Sequence, residues 1–165
     1  MRLIFFCSVY IIFGSWMNIV LNNYFQIADL KINWVLIFIL VLTFRYSRIF
    51  LPFFGIIAGL ICDAHSHGIM GLYGTSFFLT LLVVNQIKKI FYSNTLFSIC
   101  LAISAMTLFE GLVSMLILGL FETDIEKTSL ILSTSLILAI IHGIIAPLII
   151  KLIDWGEHLF LGEFS

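Results

Sequence analysis

The longest polar interval in this chain, FETDIEKTS at residues 121–129, is too short to hold a folded soluble domain, and the runs on either side of it are apolar. Of the 165 residues, 62% are hydrophobic and only 10% charged, with a mean hydropathy of +1.19. Soluble domains are nearer a quarter charged. A soluble fold of this size has no interior large enough to hide so much apolar surface, so lipid is the expected solvent. In lipid every backbone N–H and C=O must be satisfied internally, which favours helices that close their own hydrogen bonds. The expected class is therefore all-α: a polytopic membrane protein built as one six-helix transmembrane bundle over residues 1–165.

Hydropathy places the six spans at roughly 3–21, 32–44, 49–63, 69–87, 96–121 and 130–153. The second and third are short for a hydrocarbon core that takes about 20 residues. Trp34 stands at the start of the second as an expected interfacial anchor. The N-terminal run after Arg2 is too long for the apolar stretch of a signal peptide and has no small-x-small cleavage pattern after it, so it reads as the first span. Six of the eight basic residues, Arg2, Arg45, Arg48, Lys88, Lys89 and Lys151, fall at alternate ends of the spans; Lys31 and Lys127 fall at the others. The positive-inside rule then puts both termini in the cytoplasm. The net charge of −1 argues against a nucleic-acid partner, which calls for a basic patch.

The densest pattern runs from Pro52 to Gly74, PFFGIIAGLICDAHSHGIMGLYG. Gly55, Gly59 and Asp63 are four apart, so a helix carries them on one face: two notches for a close neighbour, then an acid. With Gly71 and Gly74 opening the next apolar run, the stretch reads as a packed helical hairpin with one polar spot. Further along, Glu110, His142 and Asn18 are polar groups inside apolar spans. A charge at mid-membrane costs at least about 2.5 kcal/mol even on the lenient insertion scale. Two readings of these groups stand side by side. Either Glu110 with His142, and Asp63 with His65, His67 or an asparagine of the first span, join helices by hydrogen bonds, or they form a relay or ligand pocket.

Chemistry on a substrate is not expected. Cys7, Cys62 and Cys100 are scattered in apolar runs, with neither a CxxC pair nor an even-numbered framework. Asp63, His65 and His67 supply three metal-capable side chains. On a helix positions i, i+2 and i+4 do not converge, whereas in a turn they could; with no base or supporting shell beside them, no metal site is expected. Nucleophile-elbow, zinc-protease and phosphate-loop patterns are absent from the sequence. The expectation is a non-enzyme with no catalytic residue and no cofactor.

Four places in the sequence carry a resemblance that covers nearly the whole chain. The second span opens as INWVLIFILVL, residues 32–42, with Ile32 where relatives have proline. The third gives Gly55-x3-Gly59-x3-Asp63, and Gly71-Leu72 follows at the start of the fourth. Glu110 falls in the fifth. In the sixth, His142-Gly143 with Pro147 looks like an N-G-x-x-x-P pattern with histidine replacing asparagine. In this order the motifs resemble the MreD family of rod-shape-determining membrane proteins. The histidines at 65 and 67 are not part of that pattern. The resemblance implies a non-enzymatic scaffold of the cell-elongation machinery in the bacterial inner membrane. It also implies binding to MreC, and through it coupling of MreB to RodA and its penicillin-binding protein. On this reading Gly55, Gly59, Asp63, Gly71, Gly74 and Pro147 are packing and structural residues, and Asn18, Glu110 and His142 form an intramembrane polar network. The family also looks similar in fold to the S component of energy-coupling factor transporters. The alternative is accordingly a vitamin-type small-molecule carrier.

Overall fold

The computed structural model describes residues 2–24, 31–46, 50–66, 69–88, 96–121 and 125–160. They form six α-helices: α1 (Arg2–Tyr24), α2 (Trp34–Arg45), α3 (Leu51–His65), α4 (Leu72–Ile87), α5 (Leu96–Phe121) and α6 (Ile125–Phe160). Three of them, α1, α5 and α6, are long and apolar enough to cross a membrane; α2, α3 and α4 are shorter apolar helices. Large side chains lie open on the outside, among them Phe5, Ile12 and Trp16 on α1, Leu101, Leu112 and Leu116 on α5, and Ile140, Ile144 and Leu148 on α6. Water does not tolerate a surface of that kind on a monomer, whereas lipid does.

The centre of the bundle is the shortest helix. α2 has 12 residues and is about 18 Å long. Every residue from Val35 to Thr43 is buried, and α2 packs against all five of the other helices. A helix that is apolar all round belongs inside. Because protein surrounds it, α2 does not have to match the thickness of a hydrocarbon core. Its start is fixed by Asn33, whose side chain accepts from the Leu36 N–H at 3.1 Å. Trp34 is half-buried against the core, not turned outward as an interfacial anchor. The tryptophans open to the outside are Trp16 and Trp155.

Neighbouring helices run antiparallel, and small residues set how closely they approach. In α1 and α2, Gly14 faces Phe38 and Val35; in α3 and α4, Gly55 faces Phe77 and Leu81. In α5 and α6, Gly111 meets Ser135 and Gly143 meets Ser104. One end of the bundle is then tied together by polar contacts. The Tyr10 hydroxyl donates to the Leu152 carbonyl at 2.9 Å, and Lys88 Nζ donates to the Thr43 carbonyl at 2.8 Å. Arg45 bridges Asp154 and Glu157 at 2.6 Å each. Burial holds Lys88 below the usual lysine range, at about 8.

Element ends differ from the sequence expectation in two informative places. α4 begins at Leu72, because Gly71 takes a left-handed φ of 95° and no helix passes through it. α6 has 36 residues, about 54 Å, and overhangs a hydrocarbon core of about 30 Å. Within it Pro147 has no N–H for the carbonyl of Gly143. Arg48 and Lys89, used above to orient the chain, lie outside the described residues.

Candidate functional site

Polar side chains collect at the other end of the bundle, opposite the Arg45 bridge, in three groups. The first closes the α3–α4 hairpin. Asp63 is 4% exposed at the end of α3. Its carboxylate accepts from three backbone N–H groups at the start of α4: Gly71 at 3.1 Å, Tyr73 at 3.0 Å and Gly74 at 3.1 Å. The first turn of a helix has N–H groups with no partner of their own and the positive end of the helix dipole. Asp63 supplies the acceptor and the opposite charge from a different helix. Close approach is what makes this possible. A Cβ on Gly59 would run into the Tyr73 carbonyl and sit 2.5 Å from Gly74 Cα. Gly74 is looser, with Leu60 Cγ 3.5 Å from where its Cβ would lie. Gly71 serves by its backbone conformation; nothing lies within 4 Å of a Cβ there.

The second group joins α1, α2 and α3. Asn22 Nδ2 donates to Asn18 Oδ1 and to the Ile32 carbonyl, both at 3.0 Å. Asn18 Nδ2 lies 3.9 Å from Cys62 Sγ, which lies 4.0 Å from Asn33 Oδ1. These residues, with Lys31, His65, Ser66 and Tyr73, line a cavity of about 250 Å³.

The third group lies between α4, α5 and α6. Glu110 Oε1 accepts from Ser76 Oγ at 3.0 Å and from Ser114 Oγ at 2.8 Å. His142 is fully buried, and its Nδ1 is 3.0 Å from Thr107 Oγ1. Its other ring nitrogen, Nε2, is buried and has no hydrogen-bond partner among the described residues. Glu110 and His142 both line a second cavity, of about 160 Å³, which shares Lys31, Asn33 and Tyr73 with the first.

The pairings expected from sequence are therefore rearranged. Glu110 is bonded to two serines and His142 to a threonine, in place of the Glu110–His142 pair. Asp63 is bonded to backbone N–H groups, in place of histidine or asparagine. His65 is exposed, with Nδ1 2.8 Å from the Ile61 carbonyl. His67 lies outside the described residues. Among the described residues no group of three His, Cys, Asp or Glu side chains could hold a metal ion. The faces of Gly55 and Gly59 are filled by α4 of the same chain. Asn33, Ser76 and Tyr73 were not singled out from sequence. Asn33 had a usable signal, a capping residue directly before an apolar run; Ser76 and Tyr73 had none.

Comparison with known protein families, with curated proteins and with solved structures finds no match to this chain.

Proposed function

We propose that the chain is a multi-pass protein of the bacterial inner membrane, with six spans and both termini cytoplasmic, that works as a non-enzymatic scaffold of the MreD kind. In that role it binds MreC and helps couple MreB to RodA and its penicillin-binding protein. The observation that carries the reading is the use made of Asp63. The one acid in the motif that most resembles the family is committed to three backbone N–H groups of the next helix. It holds a hairpin together and is not free for substrate chemistry. The same holds for Arg45, Lys88 and Tyr10, which tie helix ends to one another. With Gly55 and Gly59 occupied by α4, partner contacts fall to the outward apolar faces of the bundle, those of α1, α5 and α6 among them. The buried α2 supports them from behind.

The test is crosslinking in native membranes followed by identification of the attached proteins, with depletion of the chain in a rod-shaped host. The scaffold reading expects an MreC-like single-span protein among the adducts and loss of rod shape on depletion. Recovery of no such partner, together with unchanged shape, sinks it.

A second reading is favoured by a specific observation, the two adjoining cavities of about 250 and 160 Å³. A vitamin-type carrier similar to the S component of energy-coupling factor transporters needs a pocket between helices at the outer face. Neighbouring genes for an ATPase and vitamin synthesis, and a vitamin-sized molecule carried through purification, favour the carrier. Neighbouring shape genes and an empty purified protein favour the scaffold.

A further inference from the structure

The larger cavity lies between α1, α3, the approach to α2 and the start of α4. Neighbouring groups of known polarity fix which way its amides point. Asn22 contacts the Ile32 carbonyl at 3.0 Å. A carbonyl only accepts, so the Asn22 atom there is Nδ2. The same Nδ2 is 3.0 Å from Asn18, so Asn18 turns Oδ1 towards it and carries Nδ2 on its other side. The Leu36 backbone N–H only donates, and at 3.1 Å it fixes Oδ1 of Asn33 in the same way. Both remaining amide nitrogens have donor capacity to spare. Asn18 Nδ2 meets only the weak acceptor Cys62 Sγ, at 3.9 Å. Asn33 Nδ2 has no partner among the described residues. Charge points the same way. Lys31 lines the cavity and makes no ion pair among the described residues. None of the lining residues is Asp or Glu. Asp63 is committed to the start of α4, and Glu110 lines the smaller cavity, held by Ser76 and Ser114. The acceptors on this wall, Asn22 Oδ1 and Ser66 Oγ among them, are uncharged.

We infer that this cavity binds a small, singly charged oxyanion, held by Lys31 and by the amide nitrogens of Asn18 and Asn33. One cation calls for one negative charge, and N–H donors bond a charged oxygen more strongly than a neutral one. Ile32 and Tyr73 on the same wall suit an apolar body behind the anionic group. The volume of about 250 Å³ suits about ten heavy atoms, since an engineered cavity of about 150 Å³ holds benzene. Carboxylates and phosphodiesters share this chemistry, the first in soluble metabolites and the second in lipid headgroups. The site stands apart from the scaffold reading: an anion is detected by binding and a partner by crosslinking, so either can fail alone.

The test uses the full chain in phosphatidylcholine nanodiscs and equilibrium dialysis of radiolabelled probes, with empty nanodiscs subtracted. Benzoate and diethyl phosphate are the two anions. Benzamide, neutral and of the same shape as benzoate, and benzylammonium, of opposite charge, are the controls. The expected result is saturable binding of an anion, at least about tenfold weaker binding of benzamide, and none of benzylammonium. Tighter binding of benzoate assigns the site to a soluble carboxylate; tighter binding of diethyl phosphate assigns it to a lipid headgroup. Lys31 is exposed, so Lys31→Met leaves the fold in place, and it is expected to weaken anion binding about tenfold or more. Lys31→Arg is expected to retain it. Asn18→Asp keeps an oxygen for Asn22 but replaces the donor with a like charge, and is expected to abolish binding. Absence of saturable binding of either anion overturns the inference. So does binding of benzamide or benzylammonium as tight as that of benzoate, or an unchanged affinity in Lys31→Met.

Discussion

Adding one methyl group at Gly59 is expected to undo the Asp63 cap from a full turn away. A Cβ there lies 2.5 Å from Gly74 Cα and closer still to the Tyr73 carbonyl. These are backbone atoms, so no side chain can rotate aside. Carbon atoms settle at about 3.5–4.0 Å, so α3 and α4 must part by about 1 Å. The three bonds to Asp63 are 3.0–3.1 Å long, and the same displacement takes them beyond hydrogen-bonding range. Bonds to a charged acceptor contribute about 1.5–3 kcal/mol each, of which water at the end of the hairpin replaces part. Losing one or two of them costs about 2–4 kcal/mol. Alanine's better helix propensity returns up to about 1 kcal/mol, leaving Gly59→Ala destabilised by about 1–3 kcal/mol. The assay is SDS titration in mixed micelles, followed by tryptophan fluorescence, for Gly59→Ala, Asp63→Asn and the double variant. Because both changes remove the same bonds, their costs are expected to fall short of adding by about 1 kcal/mol. Gly74→Ala is the control, since its Cβ meets Leu60 at an ordinary 3.5 Å. A Gly59→Ala protein within about 0.5 kcal/mol of native, or costs that simply add, refutes this account of the hairpin.

Four other outcomes follow from the same structure. Gly71→Ala is expected to destabilise by about 1–2 kcal/mol through its φ of 95° alone. Gly119→Ala, with open space around its Cβ, is expected to stabilise α5 by about 0.5–1 kcal/mol; effects of the same sign at both sites contradict the reading. A Cβ on Gly156 collides with the Tyr10 hydroxyl, so Gly156→Ala should lower the unfolding midpoint and Tyr10→Phe should restore part of it. No restoration in the double variant removes that contact as the cause. Burial holds Lys88 at about 8, below its unfolded value of about 10.4. From about pH 8 to 10.4 the unfolded chain binds more protons, so stability should rise with pH across that window. Midpoints measured from pH 7 to 10 should climb for the native chain relative to Lys88→Met, and parallel curves would count against a depressed Lys88.

Much of this arrangement was legible before any coordinates. Gly55, Gly59 and Asp63 could be placed on one helix face because a four-residue spacing is a local property of the chain. Hydropathy found all six helices to within a few residues, apart from the overhanging ends of α6. The alternation of basic residues anticipated that Arg45, Lys88 and the end of α6 would meet at one end of the bundle. Gly71 was harder. In sequence it looks like a notch, whereas it is a left-handed residue that ends one segment and starts the next, and only its φ distinguishes the two.

Hydrophobicity by itself determined that this chain is built of apolar helices, three of them long enough to cross a membrane, because a helix pairs its own backbone where apolar surroundings offer no partner. Tertiary structure alone decided that α2 is the central helix. A segment apolar on every side is equally content in lipid or in protein, so its position depends on what the other helices leave for it. It also decided what the acids touch. Asp63 found backbone N–H groups and Glu110 found serines, and such partners are fixed by how closely two helices approach, a distance that no spacing along the chain encodes.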